Sequence, residues 1–133
     1  MNRRAFLLST AALAATPALA AMDYTPGLVE QELAAGKTVF LDFTASWCST
    51  CAAQARVIDA LKAENPDYAA AISFIDVDWD QYKFAPLTTQ LEIPRRSTLV
   101  VLKGDAELGR LVADTGKGRI KALMDSALAA ATA

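Results

Sequence analysis

The only two cysteines in this chain, Cys48 and Cys51, stand three residues apart, directly after an apolar, strand-like run that begins at Thr38 and Val39. If a helix starts at Cys48, both thiols fall on its first turn, close enough to bond to each other and exposed at its N-terminus. Unpaired N–H groups and the positive end of the helix dipole favour a thiolate there, and the thiolate is the species that attacks disulfides. Cys48 is therefore the expected nucleophile. A bridge across so short a loop restricts the unfolded chain little, so the pair reads as chemistry and not as a staple. Metal binding is the other use for two thiolates. With no histidine in the chain, a tetrahedral site would have to borrow ligands from a second chain or a partner.

Positioning these thiols requires a strand before them and a helix after them, and the sequence supplies both. Thr38 to Thr44 is β-branched and aromatic, apolar nearly throughout, as in a strand covered on both faces. From Cys51 to about Glu64, the residues Ala52, Ala55, Val57, Ile58 and Leu61 keep helical spacing, and Asn65 before Pro66 ends the run. Upstream, Met22 to Gly27 reads as a linker, and Leu28 to Ala35 as a short amphipathic helix stopped by Gly36. Downstream, Ala71 to Val77 is a second central strand. A helix over about 81–91 follows, capped by Asp78 or Asp80 and interrupted at Pro86. Thr98 to Lys103 is a third strand, Glu107 to Ala113 an edge strand returning after a turn at Gly104, and Gly118 to Ala130 a last amphipathic helix.

Half of the 133 residues are apolar (53%), enough for one domain with an ordinary core. Residues 1–20 read as an export signal: Arg3 and Arg4, an apolar run from Ala5 to Ala15, and a small-x-small ending at Ala18 and Ala20. Asn2 to Leu7 also fits a twin-arginine signal, and a general secretory signal fits as well. Cleavage after Ala20 leaves a domain of residues 21–133. Two of the 13 basic residues lie in that signal and none of the 15 acids, so the remainder carries 11 against 15 and a formal charge of −4. Such a balance disfavours a nucleic-acid role. The expected place is the periplasm, where disulfides persist.

The order strand, C-x-x-C, helix, strand, helix, hairpin and helix, over about 28–127, resembles the thioredoxin superfamily. Asp42, Phe43, Ala45, Trp47, Cys48 and Cys51 fall at the spacings of that family's signature segment. The resemblance implies an α/β thioredoxin fold: a central mixed sheet flanked by helices, with a β-hairpin and a C-terminal helix. It implies a monomeric thiol–disulfide oxidoreductase acting on protein thiols and disulfides. Its only redox group would be the Cys48–Cys51 pair, with Cys48 attacking and Cys51 resolving. Asp42 becomes a proton acceptor for the resolving thiol; a purely structural carboxylate is the competing reading. Burial should raise its pKa in either case. Trp47 reads as a half-exposed platform beside Cys48. The frame looks more like the reducing branch, supplied by a membrane electron donor.

Two departures stand out. The family often carries a lysine on the strand facing the buried aspartate; here the matching residue is Asp76. The family also places a cis-proline before the third central strand, where the neighbouring backbone meets the substrate. Without gaps that position is Ser97, preceded by a trans bond, and a proline there should be tolerated; with a three-residue insertion it is Pro94. Arg96, Ser97 and Thr98 are accordingly the candidate substrate-binding residues beside Trp47, with Arg95 near them. A metal-delivery protein using the same two thiolates is the alternative function.

Overall fold

The computed structural model describes residues 21–133; the expected export signal over residues 1–20 lies outside the described residues. Five strands form one mixed sheet. They are β1 (Met22–Asp23), β2 (Thr38–Thr44), β3 (Ile72–Asp78), β4 (Thr98–Lys103) and β5 (Ala106–Val112). Their order is β1-β3-β2-β4-β5, with β1, β3 and β2 parallel to one another, β4 antiparallel to β2, and β5 antiparallel to β4.

β2 is the centre of this sheet, paired on both edges, and Val39 to Phe43 are all buried. That double coverage explains its unbroken apolar run, because neither face meets water. The register sets Asp42 beside Asp76 of β3 and Leu99 of β4. Side chains alternate across the sheet, so Phe40 and Asp42 share one face while Val39, Leu41 and Phe43 share the other.

The Phe40 face is covered by α2 (Ser49–Glu64), α3 (Asp67–Ala71) and α6 (Lys117–Ala131). Phe40, Ile58, Leu61, Tyr68, Leu99, Ile120 and Met124 form its core. Truncating Phe40 to alanine there costs about 3–5 kcal/mol, since both transfer energy and a cavity are involved. The opposite face packs Val39, Leu41, Phe43, Ile75 and Val100 against α1 (Leu28–Ala34) and α5 (Pro86–Gln90). Between β3 and α5 lies α4 (Trp79–Tyr82), capped by the Asp78 carboxylate, which accepts from the Asp80 N–H at 3.1 Å. Pro86 at the start of α5 separates the two short helices, since a ring without N–H fits a first turn and not an interior.

Three expectations need correction. Met22 and Asp23 are not linker but an edge strand, held by β3 at Ile75 and Asp76. α3 has no counterpart in the sequence reading; its five residues are too few to show a helical period. The helix after the thiols starts at Ser49, which leaves Cys48 as its N-cap in an extended conformation, φ −92° and ψ 112°. Among the described residues no helix is long and apolar enough to cross a membrane.

Candidate active site

β2 and the turn after it deliver Asp42, Trp47 and Cys48, and α2 then carries Cys51 one turn along. As N-cap, Cys48 does what a serine or aspartate does at that position: its Sγ accepts the N–H of Cys51 at 3.1 Å. Both thiols are unbonded to each other, and both are buried, Cys48 at 4% and Cys51 at 1% exposure. The sequence predicts an exposed Cys48, and the cap explains the difference. The sulfur turns inward over the helix end and packs with Ala45, Cys51 and Trp79.

Ser97 lies directly against both sulfurs. Its hydroxyl is 3.2 Å from Cys48 Sγ and 3.0 Å from Cys51 Sγ, and the residue is wholly buried. Its backbone adopts φ 64°, unusual for a residue with a Cβ. Three hydrogen bonds hold it there. Ser97 N–H donates to the Phe43 carbonyl at 2.7 Å, while its carbonyl accepts from Ala113 N–H at 2.8 Å and Gln54 Nε2 at 3.0 Å.

Those bonds overturn two expectations. No peptide bond among the described residues is cis, so Pro94 does not occupy the cis-proline place. A proline at Ser97 is not tolerated either, because its ring demands a φ near −65° and removes the N–H that Phe43 accepts. Thr98, expected at a substrate surface, is fully buried, and its hydroxyl donates to the Arg95 carbonyl at 2.7 Å. It shapes the loop and presents nothing outward. The Ser97 backbone is likewise spent on the protein itself.

The outer wall of the site is Trp47 and Arg96. Trp47 is 59% exposed, and its indole N–H donates to Asp80 Oδ2 at 2.8 Å. The Arg96 guanidinium stacks over the ring, 4.5 Å from its centroid. Burial pushes the Cys48 thiol up, but hydrogen bonds from Cys51, Ser97 and Arg96 outweigh it, and the thiol titrates at about 7 against an ordinary 9.0.

Asp42 lines a cavity of about 480 Å³ together with Asp59, Lys62 and Asp76. It is buried, and its Oδ1 has no hydrogen-bond partner. Desolvation, with Asp76 and then Cys48 and Asp59 adding negative charge, raises it to about 8, while Lys62 opposes them. Burial also raises Asp76, again against Lys62. Lys62 is itself held below the ordinary lysine range by burial, despite the three acids, and its ammonium lies 3.9 Å from the centre of the Phe74 ring. A lysine thus faces the buried aspartate after all, supplied by α2 instead of β3.

Lys62, Asp59 and Gln54 escape sequence reasoning. The available signal for Gln54 and Lys62 is the inward face of α2, since they lie four residues before and four after the buried Ile58; Asp59 is exposed and borders the cavity.

The family model described as Thioredoxin matches residues 22–126. Thioredoxin H5 of Oryza sativa subsp. japonica is 35% identical over 77 residues, covering 58% of this chain and 53% of that protein. The chain therefore spans about half the length of that relative. The thioredoxin of Mycolicibacterium smegmatis is 31% identical over 97 residues, 72% of this chain and 83% of that one. Among solved structures, Trxlp from Edwardsiella tarda superposes with a TM-score of 0.67 at 25% identity, over 78% of this chain and 98% of that chain.

Proposed function

The chain belongs to the thioredoxin family, and on that premise we propose that it is a thiol–disulfide oxidoreductase working in the reducing direction on protein disulfides or mixed disulfides. The observation that carries this reading is the convergence of Cys51 N–H, the Ser97 hydroxyl and Arg96 on the Cys48 sulfur. Cys48 thiolate attacks one sulfur of a partner disulfide; a mixed disulfide forms, and the other partner sulfur leaves as a thiolate that takes a proton from solvent. Cys51 then gives up its proton, with the ionised fraction of Asp42 as acceptor, and attacks Cys48 Sγ. The second partner thiol is released, and the Cys48–Cys51 disulfide closes.

A thiolate held at about 7 supports the reducing direction. Strongly oxidising dithiols stabilise the attacking thiolate much further, to a pKa near ~3.5, which favours their reduced form. Export to the periplasm belongs to the same reading and rests on the sequence of residues 1–20 alone, with a membrane electron donor keeping the pair reduced. The metal-delivery alternative finds no support at the site. The third polar group on the sulfurs is a serine hydroxyl, and no cluster of three or more ligating side chains forms among the described residues.

Two measurements test the function. Cys48→Ser should abolish insulin reduction, whereas Cys51→Ser should accumulate a mixed disulfide with the partner. Label chiefly on Cys51 after alkylation of the reduced protein at mildly acidic pH reverses the assignment of roles. Equilibration with glutathione should give a potential nearer about −270 mV than −120 mV, and a value at the oxidising end would reverse the direction.

A further inference from the structure

Beyond its part in lowering the Cys48 thiol, one charged group near the sulfurs has no ligand assigned. Arg96 makes no ion pair with a carboxylate among the described residues, whereas Lys37, Arg110, Lys117, Arg119 and Lys121 each make one. Its Nε is buried and has no hydrogen-bond partner. Its neighbour Arg95 turns away, donating Nε–H to the Arg96 carbonyl at 2.9 Å. Asp80, the acid that meets Trp47, is engaged by the indole N–H.

We propose that Arg96 is a carboxylate-binding subsite, selecting disulfides whose sulfur is flanked by an acidic group. The inference rests on the oxidoreductase reading above and names its substrate class. Before reaction, the Cys48 thiolate is the anion beside the guanidinium. When Cys48 enters a mixed disulfide its sulfur becomes neutral, and Arg96 loses that partner at the moment the substrate is held. A carboxylate on the substrate restores a counter-charge at this step. Guanidinium suits the task because its planar fork of donors matches the two oxygens of a carboxylate. The guanidinium carbon lies 4.5 Å over the centre of the Trp47 ring, and this cation–π contact holds Arg96 at the outer wall of the site. Lysine at this position would offer a point charge without that geometry.

The test measures rates of reduction by the full-length, reduced protein for three disulfides of similar size: 3,3′-dithiodipropionate, bis(2-hydroxyethyl) disulfide and cystamine. Each rate is divided by that of dithiothreitol with the same disulfide, which removes intrinsic reactivity. The wild type should favour the dicarboxylate over the neutral disulfide by about fivefold, the upper end for a partly exposed ion pair. Arg96→Gln should bring that ratio near one, and Arg96→Glu should shift preference to cystamine. Uniform slowing of all three by Arg96→Gln would show that Arg96 serves only the Cys48 thiolate, and overturns the subsite. An unchanged ratio in both variants overturns it as well. No reduction of any disulfide by the wild type overturns the oxidoreductase reading, and this inference with it. Two peptide disulfides separate the sources of the carboxylate, one amidated with aspartate beside the cysteine, the other with only a free C-terminal carboxylate. If neither outruns an uncharged amidated peptide, the subsite does not act on peptides and the inference fails.

Discussion

Two groups of acids flank the start of α2, and the protein moves them in opposite directions. On the sulfur side, donors from Cys51, Ser97 and Arg96 converge on Cys48 and bring it down to about 7. On the carboxylate side, Asp42 lies in a cavity with Asp59 and Asp76, one oxygen unpartnered, and is raised to about 8. Burial raises both. What separates them is the company: hydrogen-bond donors stabilise the anion at the sulfur, whereas like charges disfavour it at the carboxylate. The carboxylic acid and the thiol are thereby brought into the same pH range. Near neutral pH Cys48 is substantially thiolate while Asp42 is mostly protonated. Initial attack therefore needs no base. If Asp42 is the acceptor in resolution, as proposed above, only its small ionised fraction serves, and that step should quicken as pH rises towards about 8.

Asp42→Asn gives the largest break in this contrast. A carboxyl whose folded pKa exceeds its unfolded value binds its proton more tightly in the native state. Its contribution to stability is full below about 4, declines as pH rises, and is gone once pH passes about 8. The wild type should lose stability across that window at up to about 1.4 kcal/mol per pH unit, one proton's worth. An asparagine side chain cannot titrate, so the variant should show a flatter profile and lack the alkaline acceleration of resolution, while initial attack by Cys48 persists. Urea unfolding between pH 4 and 9, paired with stopped-flow rates of both steps, reads this directly. Parallel stability profiles for variant and wild type would mean that Asp42 is ionised at neutrality.

Ser97→Gly acts on the other side. Glycine accepts the φ of 64° without strain and retains the N–H given to Phe43, so the fold should hold. Losing a hydroxyl that bonds the thiolate removes about 1.5 kcal/mol of charge-assisted hydrogen bonding, which raises Cys48 by roughly 1 pH unit. Thiolate absorbance during a pH titration measures the shift. No change would assign the donors at Cys48 to Cys51 and Arg96 alone.

Legibility in the sequence follows range. β2 and β4 have the bounds read from composition, because a strand buried on both faces is apolar along its whole length. β1 and α3, with two and five residues, are too short for any period to show, and only pairing to β3 or packing on the sheet creates them. At the site, Asp42, Trp47, Cys48 and Cys51 lie within ten residues, so a local pattern brings them together. Ser97 is different. Its left-handed backbone carries no glycine signal and is imposed by Phe43, Gln54 and Ala113 from three separate parts of the chain. Lys62 is hidden for another reason: a charged residue on a helix reads as solvated, and only the cavity between α2 and β3 turns it inward.

Lys62→Met is the sharpest perturbation of the carboxylate side. Among the described residues, Lys62 is the charge that pulls the Asp42 pKa down; Asp59 on the same helix, Asp76 on β3 and Cys48 at the helix cap all push it up. Methionine keeps a long apolar stem for the contact with Phe74 but removes the ammonium, forfeiting about 2 kcal/mol of cation–π attraction at this buried position. Asp42 and Lys62 are both buried, and losing the charge that opposes the shift should raise Asp42 further. Stability should then persist to higher pH before the Asp42 proton is lost, and the alkaline limb of the resolution rate should move up by the same amount. Cys48 should titrate where it does in the wild type, since Lys62 is not among the groups that set it. Equal upward shifts in the stability profile and the rate limb, with an unmoved thiolate titration, tie Lys62 to Asp42. A general loss of stability with no shift in either pH midpoint would reduce Lys62 to a packing residue.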